Sequence, residues 1–243
     1  MGRAVIALLA LFCFVQSASA ADSFFEHYTL LEKPGRPFPK KLIVLSPQVS
    51  VKEISAGGVL DLVPEWTAQA NANIEDELKQ IIGSRPDLTL VPAPAFTPEE
   101  KDKLDQYVAS YMVVGLTAYW MTNFGGSEWA FKRNHFDYTL GEGLSFVRQE
   151  TGADAAIMVI AEDYVSSSGR KAAMFLGALM GVGLAGGQSV ISVGVVDLDN
   201  GDILWMHHSQ SGVKDLKDRE SVHAMLTEIL ADLPRADGPL AQR

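Results

Sequence analysis

Cysteine is all but absent. The 243-residue chain has one, Cys13. It lies inside the short apolar run Ala4–Val15, between basic Arg3 and the small-residue triplet Ala18-Ser19-Ala20. That order predicts a secretory signal peptide over residues 1–20, too short to span a bilayer and cleaved before Ala21. Cleavage there leaves a mature chain without a thiol, which excludes disulfides and thiolate metal sites. Stability must then come from a packed core, and roughly 220 residues are enough to build one. A lipobox wants a small residue before its cysteine, whereas Phe12 stands before Cys13. Export to the periplasm is therefore read ahead of anchoring as an outer-membrane lipoprotein.

Positive charge is scarce as well. Lys and Arg number 20 against 30 Asp and Glu, for a net charge of −10, and loss of Arg3 with the leader makes it more negative. Such a surface repels phosphate backbones, so no nucleic-acid partner is expected. It also opposes broad electrostatic docking onto anionic lipid.

Catalytic and metal-binding patterns are missing too. The glycines Gly181, Gly183 and Gly186 match G-x-G-x-x-G, but they follow an apolar segment and precede a strand. A dinucleotide fingerprint needs the reverse placement, strand before and helix after. His207 and His208 are adjacent, so on a strand they face opposite sides; the other histidines are His27, His135 and His223, and there is no H-E-x-x-H. Asp197, Asp199 and Asp202 lack the spacing and terminal glutamate of a calcium loop. Ser166-Ser167-Ser168 reads as a flexible loop, with no G-x-S-x-G. No cofactor, no metal and no catalytic residue is expected.

What is present reads as one α/β domain. Residues 21–41, with "EKPGRPFPKK", predict an extended Pro-rich lead-in. "LIVLS" reads as a buried first strand, and the β-rich pieces around Gly57-Gly58 as an irregular hairpin. Pro64 opens a helix whose stripe is Trp66, Ala70, Ile74, Leu78 and Ile81, with Gly83 as its left-handed stop. "DLTLVPA" is a strand. Thr97-Pro98-Glu99-Glu100 is a capping box. The helix after it turns apolar on all sides from Met112 to Met121, which predicts a buried end. Residues 122–135 read as a loop. A further helix ends at Gly152, and "ADAAIMVIAEDYV" is the clearest strand. Asn200 and Gly201 mark a hairpin turn between two β-rich runs. Val222, Met225, Leu226, Ile229, Leu230 and Leu233 follow a helical stripe, and Pro234 stops it. The order predicts a mixed sheet with helical crossovers, then an antiparallel hairpin and a helix. The domain is read over 42–234, with a loose tail at 235–243.

One segment fits none of this. Residues 172–187 carry no charged side chain. As a single helix they would reach about 24 Å, short of the ~30 Å hydrocarbon core. Met174, Phe175, Leu176, Leu179, Met180, Val182 and Leu184 nearly encircle that axis, and such a helix wants burial on every side. Gly177 and Gly181 have the spacing that permits close helix approach. Three readings stay open for residues 172–187: packing within the chain, contact with another copy or an envelope partner, and lipid contact helped by Arg170 and Lys171.

The C-terminal half resembles a family of exported proteobacterial proteins. The matching pieces are Gly152-Ala153-Asp154, Gly169-Arg170, Gly186-Gly187 and the V-D-L-x-x-G-x-I-L-W hairpin from Val196 to Trp205, with Pro64-Glu65-Trp66-Thr67 upstream. More distantly, the element order is similar to envelope lipoproteins with a domain like the N-terminal domain of TolB. These include the curli secretion channel lipoprotein and the activators of penicillin-binding proteins. The resemblance implies a non-enzymatic envelope-assembly or adaptor role. A membrane-associated oligomer linked to secretion or pore formation is the alternative, and an envelope hydrolase the third reading.

Overall fold

Strand β6 (Ala155–Ser166) organises the molecule, and its neighbours explain why it reads as a nearly continuous apolar run. The computed structural model describes residues 23–32, 35–124, 130–133, 135–212 and 214–237. The expected signal peptide and Cys13 lie outside them. In chain order the first elements are β1 (Ser23–Glu26), α1 (Tyr28–Leu31), β2 (Lys41–Val44), β3 (Gln48–Ile54), β4 (Leu60–Leu62), α2 (Pro64–Ser84) and β5 (Thr89–Val91). Then come α3 (Pro98–Phe124), α4 (Ala130–Arg133), α5 (Ser145–Thr151), β6, α6 (Ser168–Leu179), β7 (Gln188–Asp197), β8 (Ile203–Ser211) and α7 (Arg219–Leu230).

Among the described residues, eight strands form one mixed sheet in the order β1-β8-β7-β6-β2-β5, with β3 on the second half of β6 and β4 beside β3. β2 and β3 both run parallel to β6, as β5 does to β2. β7, β8 and β1 continue antiparallel on the other side. The fold is α/β, with helical connections wherever strands are parallel. Side chains alternate along β6. Ala155, Ile157, Val159 and Ala161 join the core under α2 and α7. Ala156 and Met158 join a second core under α3 and α5. A strand covered on both faces needs apolar residues throughout.

Local signals held in most places. Thr97 Oγ1 accepts from the Glu100 amide at 3.3 Å, and the Glu100 carboxylate accepts from the Thr97 amide at 2.7 Å. Gly152 ends α5 in the left-handed region at φ 68°. Asp218 caps α7 by accepting from the Ser221 amide at 2.8 Å. At the β7–β8 turn, Asp197 Oδ1 accepts from the amides of Asp199 and Asn200, and Gly201 takes φ 76°.

Several expectations are corrected. The lead-in is part of the domain, because β1 pairs with β8 along Ser23–Glu26 and Leu30 and Phe38 are buried in the core. Arg36 then pairs with Asp197 and, at 3.5 Å, with Asp202. β8 is therefore an interior strand, and its His207 and His208 are buried. Gly83 does not stop α2. The helix runs to Ser84, and the Arg85 amide bonds back to Ile82 O at 3.1 Å. The stretch read as a loop over 122–135 contains the last turn of α3 and α4. The start of the tail is held: Leu233 O and Pro234 O each accept from Arg85 at 3.0 Å, and the Ala236 amide donates to Asp87 at 3.0 Å. Residues 238–243 lie outside the described residues.

Candidate interaction surface

Between β6 and β7 the chain leaves the sheet and makes a small lobe. Ser167 caps α6 by accepting from the Arg170 amide at 3.1 Å, so the serine run is a helix start and not a flexible loop. The helix lasts 12 residues rather than the length of 172–187. It stops in a Schellman arrangement. The Val182 amide donates to Gly177 O at 2.8 Å and the Gly181 amide to Ala178 O at 3.1 Å, with Gly181 at φ 75°. This satisfies carbonyls that a helix end otherwise leaves open.

The chain then returns along α6. A Cβ on Gly177 would lie 2.9 Å from Val182 O and 3.5 Å from the Leu184 side chain. Arg170 donates to Ala185 O through Nε at 3.1 Å and Nη2 at 2.9 Å, pinning the return. Its guanidinium thus holds the lobe together, while Lys171 stays exposed. The glycines of the G-x-G-x-x-G match fall in this return, after a helix.

The lobe buries little of its apolar character. Phe175 is 65% exposed, Leu176 57%, Leu179 71%, Met180 75% and Val182 51%. Gly177 is buried by the lobe itself, and Met174 and Leu184 are half-buried. The structure thus places Phe175, Leu176, Leu179, Met180 and Val182 outward, and spends Gly177 and Gly181 on closing the lobe. Asn200 and Gly201 sit in the β7–β8 turn, away from it.

A second apolar surface was missed. α3 crosses the sheet on Leu104, Val108, Tyr111, Gly115, Ala118 and Tyr119. Its expected buried end is instead exposed on one side at Met112, Val113, Leu116, Trp120 and Phe124. Four of these recur every four residues and form one ridge. The all-round apolar pattern was the available signal. It marked two contacts, one with the sheet and one left open.

Beside this ridge lies a groove of about 170 Å³. Tyr111, Met112 and Leu116 make its wall, and Ile160, Val190 and Ser192 its floor. The Tyr111 hydroxyl is 3.1 Å from Ser192 Oγ, and burial pushes its phenol well above the ordinary range. His208 packs against Tyr119 with the rings tilted by 33° and their centroids 4.1 Å apart. Glu162, also at the groove, accepts from Tyr164 at 2.5 Å and from Lys52 at 3.2 Å. The Glu162 carboxylate pushes the Tyr164 phenol up to about 12. At this groove Tyr111 and Ser192 thus engage each other, while Glu162 and His208 engage neighbours outside it.

Among the described residues no group of three or more His, Cys, Asp or Glu is arranged to hold a metal ion. Among them, too, no helix is long and apolar enough to cross a membrane.

Fold and surface together define an α/β domain that displays two unlike apolar surfaces, a projecting lobe and a grooved ridge. No family model and no curated protein matches the chain. It is similar to the solved structure of a PelC dodecamer from Paraburkholderia phytofirmans, at 12% identity and a TM-score of 0.35, over 88% of this chain and 96% of that one. A point-substituted PelC dodecamer from the same organism is similar at 12% identity and a TM-score of 0.37, over 93% of this chain and 100% of that one.

Proposed function

We propose that this chain is an exported, non-enzymatic protein of the bacterial periplasm that serves envelope assembly by protein–protein contact, first of all with copies of itself. One observation carries the reading. Phe175, Leu176, Leu179, Met180 and Val182 stand half to three-quarters exposed on a lobe that the chain has folded and pinned. Together they present on the order of 500 Å² of apolar surface, near the largest patch a typical monomer leaves in water. Covering that area is worth on the order of 10 kcal/mol before the costs of association. A lobe closed by its own capping motif presents these residues on an already ordered backbone, so association has side chains to order but not the chain.

A membrane-associated oligomer is the second reading. It is favoured by the absence of charge from residues 172–187. Neutral phosphatidylcholine vesicles test it, because they offer apolar depth without headgroup charge.

Light scattering on residues 21–243 checks the main reading. The expected mass is that of several chains, falling to one in Phe175→Ser plus Leu179→Ser with unchanged circular dichroism. A wild-type mass of one chain at tens of micromolar overturns self-association. Co-flotation of that single chain with the vesicles, abolished by the same double substitution, would move the assignment to the membrane-associated reading.

A further inference from the structure

Two unlike apolar surfaces on one chain raise the question of what covers each. We propose that the lobe of one copy seats in the α3 groove and along the α3 ridge of a second copy. This rests on the self-association reading and names its two halves.

Size supports the match. The groove holds about 170 Å³, and an apolar cavity of about 150 Å³ takes one benzene-sized group. That is room for one large side chain of the lobe, and Phe175 at 65% exposure is the aromatic one. Length matches as well. The ridge from Met112 to Phe124 spans about 18 Å at a helical rise of about 1.5 Å per residue. The 12 residues of α6, Ser168–Leu179, span about 17 Å by the same measure.

Area decides between pairings. Each surface offers on the order of 500 Å², so joining them removes about 1,000 Å² from water, the lower bound for a specific interface. Lobe against lobe would leave Met112, Val113, Leu116, Trp120 and Phe124 bare on every copy. Lobe in groove covers both surfaces on each copy. The lobe does not lie on its own chain's ridge: Phe175, Leu179 and Met180 and the ridge residues Val113, Trp120 and Phe124 are all exposed in the same molecule. A reciprocal exchange closes as a pair, whereas one-way repetition makes a ring or a filament.

Disulfide trapping tests the contact, since residues 21–243 contain no cysteine of their own. Phe175→Cys and Leu116→Cys are expressed singly and together, with a mass tag on one, then oxidised mildly. The expected product is a linked pair containing one of each, at least tenfold above either variant alone. Three results overturn the proposal: Phe175→Cys linking to itself as efficiently, an oligomer by light scattering that yields no mixed pair, or a single-chain mass. The last also removes the self-association reading; the first two leave it standing. Leu116→Glu is the second arm. Its site is 42% exposed, so the fold and melting temperature should hold while the oligomer mass falls to one chain. An unchanged mass overturns the proposal.

Discussion

At Gly201 two demands fall on one residue. Its φ of 76° is the left-handed region, and a Cβ there would overlap the carbonyl and amide of Gly141. The Leu140 amide donates to Gly201 O at 2.8 Å and holds the two segments together. Gly201→Val meets both penalties, since a β-branched residue resists positive φ. The expected loss is about 3 kcal/mol of unfolding free energy, read from the urea midpoint, within the range of strained and overpacked sites. The first demand is legible in the Asn-Gly pair. The second depends on Gly141, which lies 60 positions away in the chain. Gly177 teaches the same lesson. Its spacing from Gly181 suggests an approach between helices, but the neighbour that needs the room is Val182, five residues on.

Among the elements, α2 and α7 are joined by a buried carboxylate. Glu77 accepts from Arg219 Nε at 2.5 Å and lies 2.7 Å from His223 Nδ1. The His223 contact holds the Glu77 carboxyl below the usual carboxylate range, with Arg219 adding to it. A depressed folded pKa adds stability above the ordinary value of 4.5. That stability is lost as pH falls through the lowered folded value. Glu77→Gln should cost about 2 kcal/mol at neutral pH, the scale of hydrogen bonds to a charged group. It should also flatten the acid limb of stability against pH below about 4.5. Denaturant melts at a series of pH values check both. Helical spacing places Glu77 next to Leu78 on the buried stripe, but Arg219 and His223 stand too far along the chain for any local pattern to pair them. α3 shows the opposite failure. Its apolar circumference implied burial on all sides, yet the sheet covers only one, and Met112, Val113, Leu116, Trp120 and Phe124 stay exposed on the other.

For the whole molecule, the N-terminal segment is the closing piece. β1 covers the outer edge of β8, Leu30 is fully buried, and Arg36 fastens the segment to the β7–β8 turn. An uncovered β8 would present an unpaired edge, which invites association through backbone hydrogen bonds. Leu30→Ala should lower stability by about 3 kcal/mol, as cavities at fully buried leucines do. Amide exchange at Trp205–His208 should quicken with it. Retained protection there would show that β1 holds without its anchor. Proline and charge in "EKPGRPFPKK" argue against regular structure, and residues 35–40 before β2 have none. They carry no information about the short strand ahead of it, which acquires order only by pairing with a partner about 180 residues away.

By itself the sequence determined the period of the main elements, the caps at Thr97 and Gly152, the α/β class and the uncharged segment at 172–187. These follow from local chemistry: side-chain alternation, capping oxygens and glycine at positive φ. Tertiary structure alone decided that the lead-in belongs to the sheet, which glycines have neighbours to avoid, and which of two greasy helices keeps a face in water. Burial is a relation between distant segments, so a residue's own type states how much it gains from cover but not whether the fold supplies any.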